Sequence, residues 1–392
     1  MAFEIEKNIL KKYIPEDDEK IVAVPEGITE IGDLAFERCS EIEKIILPDG
    51  IKKIGYCSFQ RCGMKEISIP DGLEEVEMYA FSECTNLEFI KFPDSTKKFS
   101  WHILEYCRNP KEVVLPSGMR EISQNFCREC SALEKVQLPE TLQEIDRLAF
   151  SRCKNLKEII FPDTVEMIGG GAFSGCESLV SVEIPARVTC LSSFVFGGCK
   201  NLQTVEILAG DKLWIDIGAF EKCALKEMNL PQVSCLYERA FDPDVILHIR
   251  TSDGIFTMQF GNWENHKDEK LVLKFLNYPE YRENDFQQIK KGNYKLLLAN
   301  FMMQYHPEQE VYQAYVKRNI KKYIKMLIDG QDSETIRNLL STGYVTKKNI
   351  DELINYALEK KKHEMQILLM NWKHENIKAE SIEKQISKKL KL

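Results

Sequence analysis

Ala149-Phe150-Ser151-Arg152-Cys153 and Ala172-Phe173-Ser174-Gly175-Cys176 are one phrase written twice, 23 residues apart. It stands again at Ala35-Phe36-Glu37-Arg38-Cys39 and Ala80-Phe81-Ser82-Glu83-Cys84, and its closing cysteine recurs at positions 39, 62, 84, 107, 130, 153, 176, 199 and 223. Steps of 22 to 24 residues mark a stacked-repeat solenoid, in which each unit buries its apolar face only against its neighbours.

Outward from the phrase, each cysteine is followed by apolar alternation that ends in proline, as in Leu133-Glu-Lys-Val136-Gln-Leu138-Pro139, Leu156-Lys-Glu-Ile159-Ile-Phe161-Pro162 and Leu179-Val-Ser-Val182-Glu-Ile184-Pro185. Alternation over a few residues reads as a short strand, and proline ends it by removing a ladder N–H. A shorter second strand follows the turn at Ile28-Thr-Glu-Ile31, Ile51-Lys-Lys-Ile54, Leu142-Gln-Glu-Ile145 and Val165-Glu-Met-Ile168. The last unit keeps Ala240-Phe241 but has Val245 beyond it in place of the cysteine. At the front, Phe3-Glu-Ile5 and Ile21-Val-Ala-Val24-Pro25 are expected to form a strand pair flanking Leu10-Lys-Lys-Tyr13 and covering the open edge. The fourth unit departs from the pattern, with Phe99, Trp101, Ile103 and Leu104 where its neighbours place isoleucine, a variable residue, alanine and phenylalanine. Trp101 sits where other units have Asp33, Arg147 and Ser193, so it is expected to face water.

Beyond Arg250 the period stops and helical patterning begins. Phe286 to Tyr305 carries Leu296, Leu297, Leu298, Phe301 and Met302 on one wide apolar stripe. Leu339-Leu340 is echoed 29 residues later by Leu368-Leu369, close to an ankyrin spacing. Asp332 or Ser333 and Thr346 suit helix N-caps, and Gly343 a C-terminal stop.

Ala-Phe-x-x-Cys, then Leu-x-x-Ile-x-Ile-Pro, then Val-x-x-Ile, in fixed order, resembles the BspA-type leucine-rich repeats of bacteria over roughly residues 21–250. Ile9-Leu-Lys-Lys-Tyr-Ile14 and Thr346-Lys-Lys-Asn-Ile-Asp-Glu-Leu353 also resemble members in which an ankyrin-like helical cap follows the repeats. The expected fold class is therefore α+β: a leucine-rich-repeat β-solenoid of about ten 23-residue units with short parallel strands, then an all-α, ankyrin-like helical domain. The domains are a capping segment at 1–26, the solenoid at 27–250 and the helical domain at 251–392, which ends in an amphipathic helix. The resemblance also implies a binding role. Family members include surface adhesins that bind host matrix proteins and carry a signal peptide and anchoring domains.

Met1 to Tyr13 has no uninterrupted apolar core of a signal peptide, and no run reaches the ~18 apolar residues of a membrane span. A cytoplasmic location is expected, with export without a readable signal as the alternative. Lys+Arg 53 against Asp+Glu 61 gives a net charge of -8, which argues against a general nucleic-acid or anionic-membrane binder. Nine of the thirteen cysteines occupy one repeat position beside an apolar phenylalanine, so they are read as reduced, buried small hydrophobes.

Catalytic constellations are not evident. Cys127-Arg-Glu-Cys130 is the only Cys-x-x-Cys, and its members fill the phenylalanine slot and the ladder-cysteine slot, with no second ligand pair for zinc. The six histidines, at 102, 248, 266, 306, 363 and 374, share no motif. Gly169-Gly-Gly171 lies inside a repeat and reads as a turn, not a phosphate cradle. The tail from Lys378 to Leu392, apolar at Ile382, Ile386 and Leu390, is read as a last helix packing on the helical domain. No catalytic, cofactor or metal residue is expected.

What remains is surface. In a Leu-x-x-Ile-x-Leu strand the apolar residues point inward, so the residue before the isoleucine and the one after it form two outward columns. Lys44, Glu66, Phe89, Glu112, Lys135, Glu158 and Glu227 fall in the first column, and Ile46, Lys91, Val114, Ile160, Glu183 and Glu206 in the second. An apolar centre with a charged rim has the composition of a protein interface. These residues, with Trp101, form the expected binding face of a monomeric, non-enzymatic protein-interaction module. The alternative is an adhesin-like host-contact protein binding host proteins or glycans.

Overall fold

The computed structural model describes residues 2–15, 19–208, 213–231, 233–237, 239–242, 245–259, 267–277, 280 and 282–389. Two compact units result, Met1–Pro279 and Glu280–Leu392.

In the first unit the chain coils so that each repeat lays a strand parallel to its predecessor. Strands Ile21–Ala23, Lys44–Ile46, Glu66–Ser68, Phe89–Lys91, Glu112–Val114 and Lys135–Gln137 form one ladder, and Ser181–Ile184 pairs with Thr204–Ile207 farther along the coil. The two-residue second strands form separate ladders, one ending at Lys98–Phe99 and the next starting at Glu121–Ile122. Residues 156–162 keep the strand alternation, with Ile159 and Phe161 buried and Ile160 exposed, but carry no strand assignment, which corrects the expectation of a strand there.

The Ala-Phe phrase builds a third ladder from turns. The N–H groups of Leu34, Phe36 and Arg38 donate to the carbonyls of Tyr56, Ser58 and Gln60 in the next unit at 2.9, 2.7 and 2.8 Å. Between them, those of Ala35, Glu37 and Cys39 donate back within the turn to Gly32, Leu34 and Phe36. Alternating local and forward bonds are accompanied by left-handed backbone at Leu34 and Arg38, each with φ of 60°. The same two slots recur at Tyr79 and Glu83 and at Leu148 and Arg152. Left-handed backbone costs a non-glycine residue about 1–2 kcal/mol, which the forward bonds and the packing beneath them offset.

That packing explains the phrase. The phenylalanine rings stack along the coil, with centroids of Tyr13, Phe36, Phe59 and Phe81 spaced 5.2 Å apart. A second stack runs through Phe150, Phe173, Phe196, Phe220 and Phe241 at 5.2–5.7 Å. Leu104 and Cys127 hold the slot between the two stacks, where Phe92, Phe99 and Phe126 meet edge-on instead. The drift of the fourth unit is thus compensated by local repacking, as cores accept apolar exchanges that keep total volume.

The ladder cysteine is more than a filler. Each thiol from Cys84 onward donates to the backbone carbonyl of the phenylalanine slot one unit back: Cys84 to Phe59 at 2.9 Å, Cys107 to Phe81 at 3.0 Å, Cys176 to Phe150 and Cys199 to Phe173 at 3.2 Å. Cys130 bonds Leu104 at 3.2 Å and Cys153 bonds Cys127 at 3.1 Å, so both members of the Cys-x-x-Cys are repeat parts. Twelve of the thirteen cysteines are free of disulfides, and the side chain of the other, Cys235, lies outside the described residues. Burial pushes the thiols of Cys84, Cys153 and Cys199 well up, Cys176 to about 12 and Cys39 to about 11.

The coil's ends are closed by hairpins. Strand Ala2–Glu6 turns at Lys7-Asn8 and runs antiparallel to Ile9–Ile14, which in turn pairs parallel with Glu30–Ile31. Ile9–Ile14 is therefore a strand and Ile21–Ala23 belongs to the other ladder, correcting the expected pairing of residues 3–5 with 21–25. The segment is a worn repeat: Tyr13 takes the phenylalanine slot and its N–H donates to Ala35 at 2.9 Å. At the far end Ile246–Arg250 pairs antiparallel with Ile255–Gln259. Strand structure thus continues past residue 251, and helix α1 (Lys267–Asn277) packs on strand Val233–Leu236 within the same unit.

The second unit holds helices α2 (Arg282–Gln288), α3 (Gly292–Tyr305), α4 (Glu310–Gly330), α5 (Ser333–Ser341), α6 (Lys347–Glu359) and α7 (His363–Lys389). The segment from Phe286 to Tyr305 spans two helices, broken at Ile289–Lys291, and Leu296, Leu298, Phe301 and Met302 of its apolar stripe are buried. Asp332 caps α5 by accepting from Thr335 N–H at 2.9 Å. Thr346 caps α6 in a box closed by its own N–H donating to Asn349 Oδ1 at 2.7 Å. The backbone of Lys378–Lys389 continues α7, and its side chains lie outside the described residues, as do residues 390–392.

Candidate protein-binding face

Backbone register decides which side chains stand together. Pairing aligns Ile21, Lys44, Glu66, Phe89, Glu112 and Lys135 in one row across the first ladder, with Ile46 beside Ala23 and Ser68, and Val114 beside Lys91 and Gln137, in the second. Neighbours of opposite charge meet within a row, as Lys44 does Glu66. Farther along, Glu183 pairs in register with Glu206, and Glu227 stands beside Ile246. Like charges in register repel. His248 Nε2 lies 3.7 Å from the Glu227 carboxylate.

Phe89 is 45 % exposed and Ile160 76 %, with Ile46 exposed and Val114 half-buried. Exposing an apolar side chain forgoes about 1.5–3 kcal/mol of burial for a residue of this size. Lys91, Glu112, Lys135, Glu158, Glu183, Glu206 and Glu227 are exposed around them. Ile160 has the column's sequence position but no ladder bonds to fix it there. Trp101, 50 % exposed, does not join the face: it lies in the turn after the second strand Lys98–Phe99, where its carbonyl accepts from Tyr79 N–H at 3.3 Å.

Two residues belong to the face that pattern reading left out. Ile21 heads the first row, Ile246 stands beside Glu227 in the separate sheet at the far end, and both are exposed. The alternation Ile21-Val-Ala-Val24-Pro25 carried the signal for the first.

Beside Trp101 lies a polar cluster that periodicity could not reveal. Glu105, 5 % exposed, accepts from Arg128 Nη1 at 2.8 Å and holds His102 Nδ1 at 2.7 Å, while the His102 ring stacks on Tyr79 at 4.5 Å. It satisfies a buried carboxylate and couples the fourth unit to its neighbours. Among the described residues no group of three or more His, Cys, Asp or Glu side chains is arranged to hold a metal ion, and no helix is long and apolar enough to cross a membrane.

Residues 18–134 and 120–246 match the BspA-type leucine-rich repeat region, in six copies. The chain belongs to the BspA-type leucine-rich repeat family. No curated protein sequence matches it. Solved structures similar to it include a leucine-rich repeat protein from Bacteroides ovatus, at 20 % identity over 59 % of this chain and 83 % of that one with a TM-score of 0.40. A leucine-rich cell surface protein from Faecalibacterium prausnitzii has 19 % identity over 59 % and 86 %, TM-score 0.41. The pneumococcal vaccine antigen PcpA has 19 % identity over 62 % and 78 %, TM-score 0.41. BspA-type repeats name a scaffold, and what the scaffold holds is decided by the face.

Proposed function

We propose that this BspA-type protein is a non-enzymatic module that holds a protein ligand on the outward rows of its first-strand ladder. The observation that carries the reading is Phe89: a large apolar ring, 45 % exposed, locked by register between Glu66 and Glu112. Aromatic anchors ringed by charge make up the energetic centre of protein interfaces. The ligand is taken up by a monomer in a reducing cytoplasm, a reading supported by the free thiols. The helical unit is ankyrin-like, a reading supported by the 29-residue echo of its Leu-Leu pairs. It caps the repeats or holds a second ligand.

The test is capture of partners from lysate of the native organism by the full chain and by a Phe89→Glu/Ile160→Glu variant. A partner retained by the parent and lost by the folded variant supports the face; equal retention by both overturns it. Sedimentation analysis checks the monomer, and recovery of the protein in the secreted or envelope fraction would overturn the cytoplasmic location.

A further inference from the structure

Charge is segregated between the two units. Residues 280–392 carry 21 Lys and Arg against 15 Asp and Glu, leaving 32 against 46 for residues 1–279. The chain's overall negative charge therefore conceals a basic helical unit, and the surplus is organised.

Lys317, Lys321 and Lys325 stand at i, i+4 and i+8 of α4 and so share one face, each about 6 Å along the axis from the last. Lys321 and Lys325 both donate to the Glu352 carboxylate of α6 at 2.7 Å. Glu352 shares its own helix face with Lys348 one turn before and Tyr356 one turn after. Lys325 and Lys360 lie 5.0 and 5.6 Å from the centroid of Tyr356, and Lys317 lies 5.9 Å from that of Tyr344. The tyrosine hydroxyl of Tyr356 donates to Asp329 at 2.8 Å. One surface of α4 and α6 thus gathers five lysines against three carboxylates, Glu352, Asp329 and Glu359. The two ammonium groups hold Glu352 down to about 2, so its charge is already met.

A surplus of ammonium groups calls for an anionic partner, and the details choose the kind. Single-stranded nucleic acid is gripped by rings free to stack on bases, whereas these tyrosine rings are already faced by lysines. Lysine is a compact point charge without the planar fork that grips phosphate bidentately. A row of such charges about 6 Å apart matches carboxylates one turn apart on a helix.

We propose that the α4–α6 face of the helical unit binds an acidic polypeptide segment carrying Asp or Glu at successive helical turns. It is independent of the solenoid face, from which it differs in the sign of its charge and in the salt dependence it imposes.

The experiment is fluorescence anisotropy on the full chain with a labelled peptide of about 20 residues bearing Glu at i, i+4, i+8 and i+12. A single-stranded oligonucleotide of equal charge is run in parallel. Saturable peptide binding is expected, weakened about ten-fold between about 50 and 200 mM salt. Lys317→Glu/Lys348→Glu, which leaves both Glu352 bonds intact, is expected to weaken it about ten-fold or more, and Lys97→Glu on the solenoid to leave it unchanged. Should the double reversal unfold, Lys317→Gln/Lys348→Gln gives the same direction at about three-fold. Absence of saturable peptide binding, indifference to both double variants, or tighter binding of the oligonucleotide than of the peptide overturns the proposal.

Discussion

The ring of Phe194 occupies the space in which a Cβ on Gly218 would stand: a methyl group there would lie 2.3 Å from the ring's Cε1. Gly218 also has a φ of 63°. Gly218→Ala is therefore expected to destabilise the solenoid by about 1–3 kcal/mol, from backbone strain plus displacement of the ring. A methyl on Gly118 meets nothing within 4 Å, so Gly118→Ala should stay within about 0.5 kcal/mol of the parent. Urea unfolding followed by circular dichroism compares them, and equal midpoints would refute the account.

The thiol ladder makes a prediction about chemistry, not size alone. Cys176 is fully buried and donates to Phe150. Cys176→Ala should cost about 1–2 kcal/mol through the lost bond and the small void. Cys176→Ser keeps a donor but shortens its reach and buries a hydroxyl, so it should recover little of that stability. A serine variant as stable as the parent would show that any donor suffices.

The buried thiols also set an alkaline limit. Burial raises Cys84, Cys153 and Cys199 well above their ordinary range and Cys176 to about 12, whereas unfolded cysteine titrates near about 8.5. The folded value lies above the unfolded one, so this contribution is complete below about pH 8.5 and is lost as pH rises toward the folded values. Each such thiol contributes a slope of up to about 1.4 kcal/mol per pH unit. Tm measured with reductant present should fall steeply from pH 9 to 11; a flat profile would count against burial of the ladder.

In the helical unit Asp332 accepts from Thr335 N–H. Asp332→Ala should lower helical stability by about 1 kcal/mol, and Asp332→Asn by less, since the amide oxygen still accepts. Thermal unfolding resolves the pair, and an alanine variant as stable as the asparagine one would remove the cap from the account.

The repeat period, the proline-ended strands and the Ala-Phe-x-x-Cys turn were legible because each depends on side-chain type at fixed spacing. The left-handed turn slots were not, because Leu34, Arg38, Tyr79 and Glu83 do not advertise positive φ. Only Gly171, Gly175, Gly198 and Gly218, set in register with them, betray it. The outward rows followed from alternation, whereas Trp101 was grouped with them by exposure alone. Exposure carries no address; the register does. The closing hairpin at Ile246–Gln259 escaped because its second strand lacks the repeat's proline and cysteine. The basic face on α4 and α6 was averaged away in a whole-chain sum.

The ring stack halts at Leu104 and Cys127, and the second-strand ladder stops between Phe99 and Glu121. The first-strand ladder runs through the same place without a gap, from Phe89 to Glu112 to Lys135. Seam on one side and unbroken selvedge on the other, the coil is built like a bound book at its fold. The fold is stitched even so, since the turn bonds from His102 to Gln124, Leu104 to Phe126 and Tyr106 to Arg128 cross it.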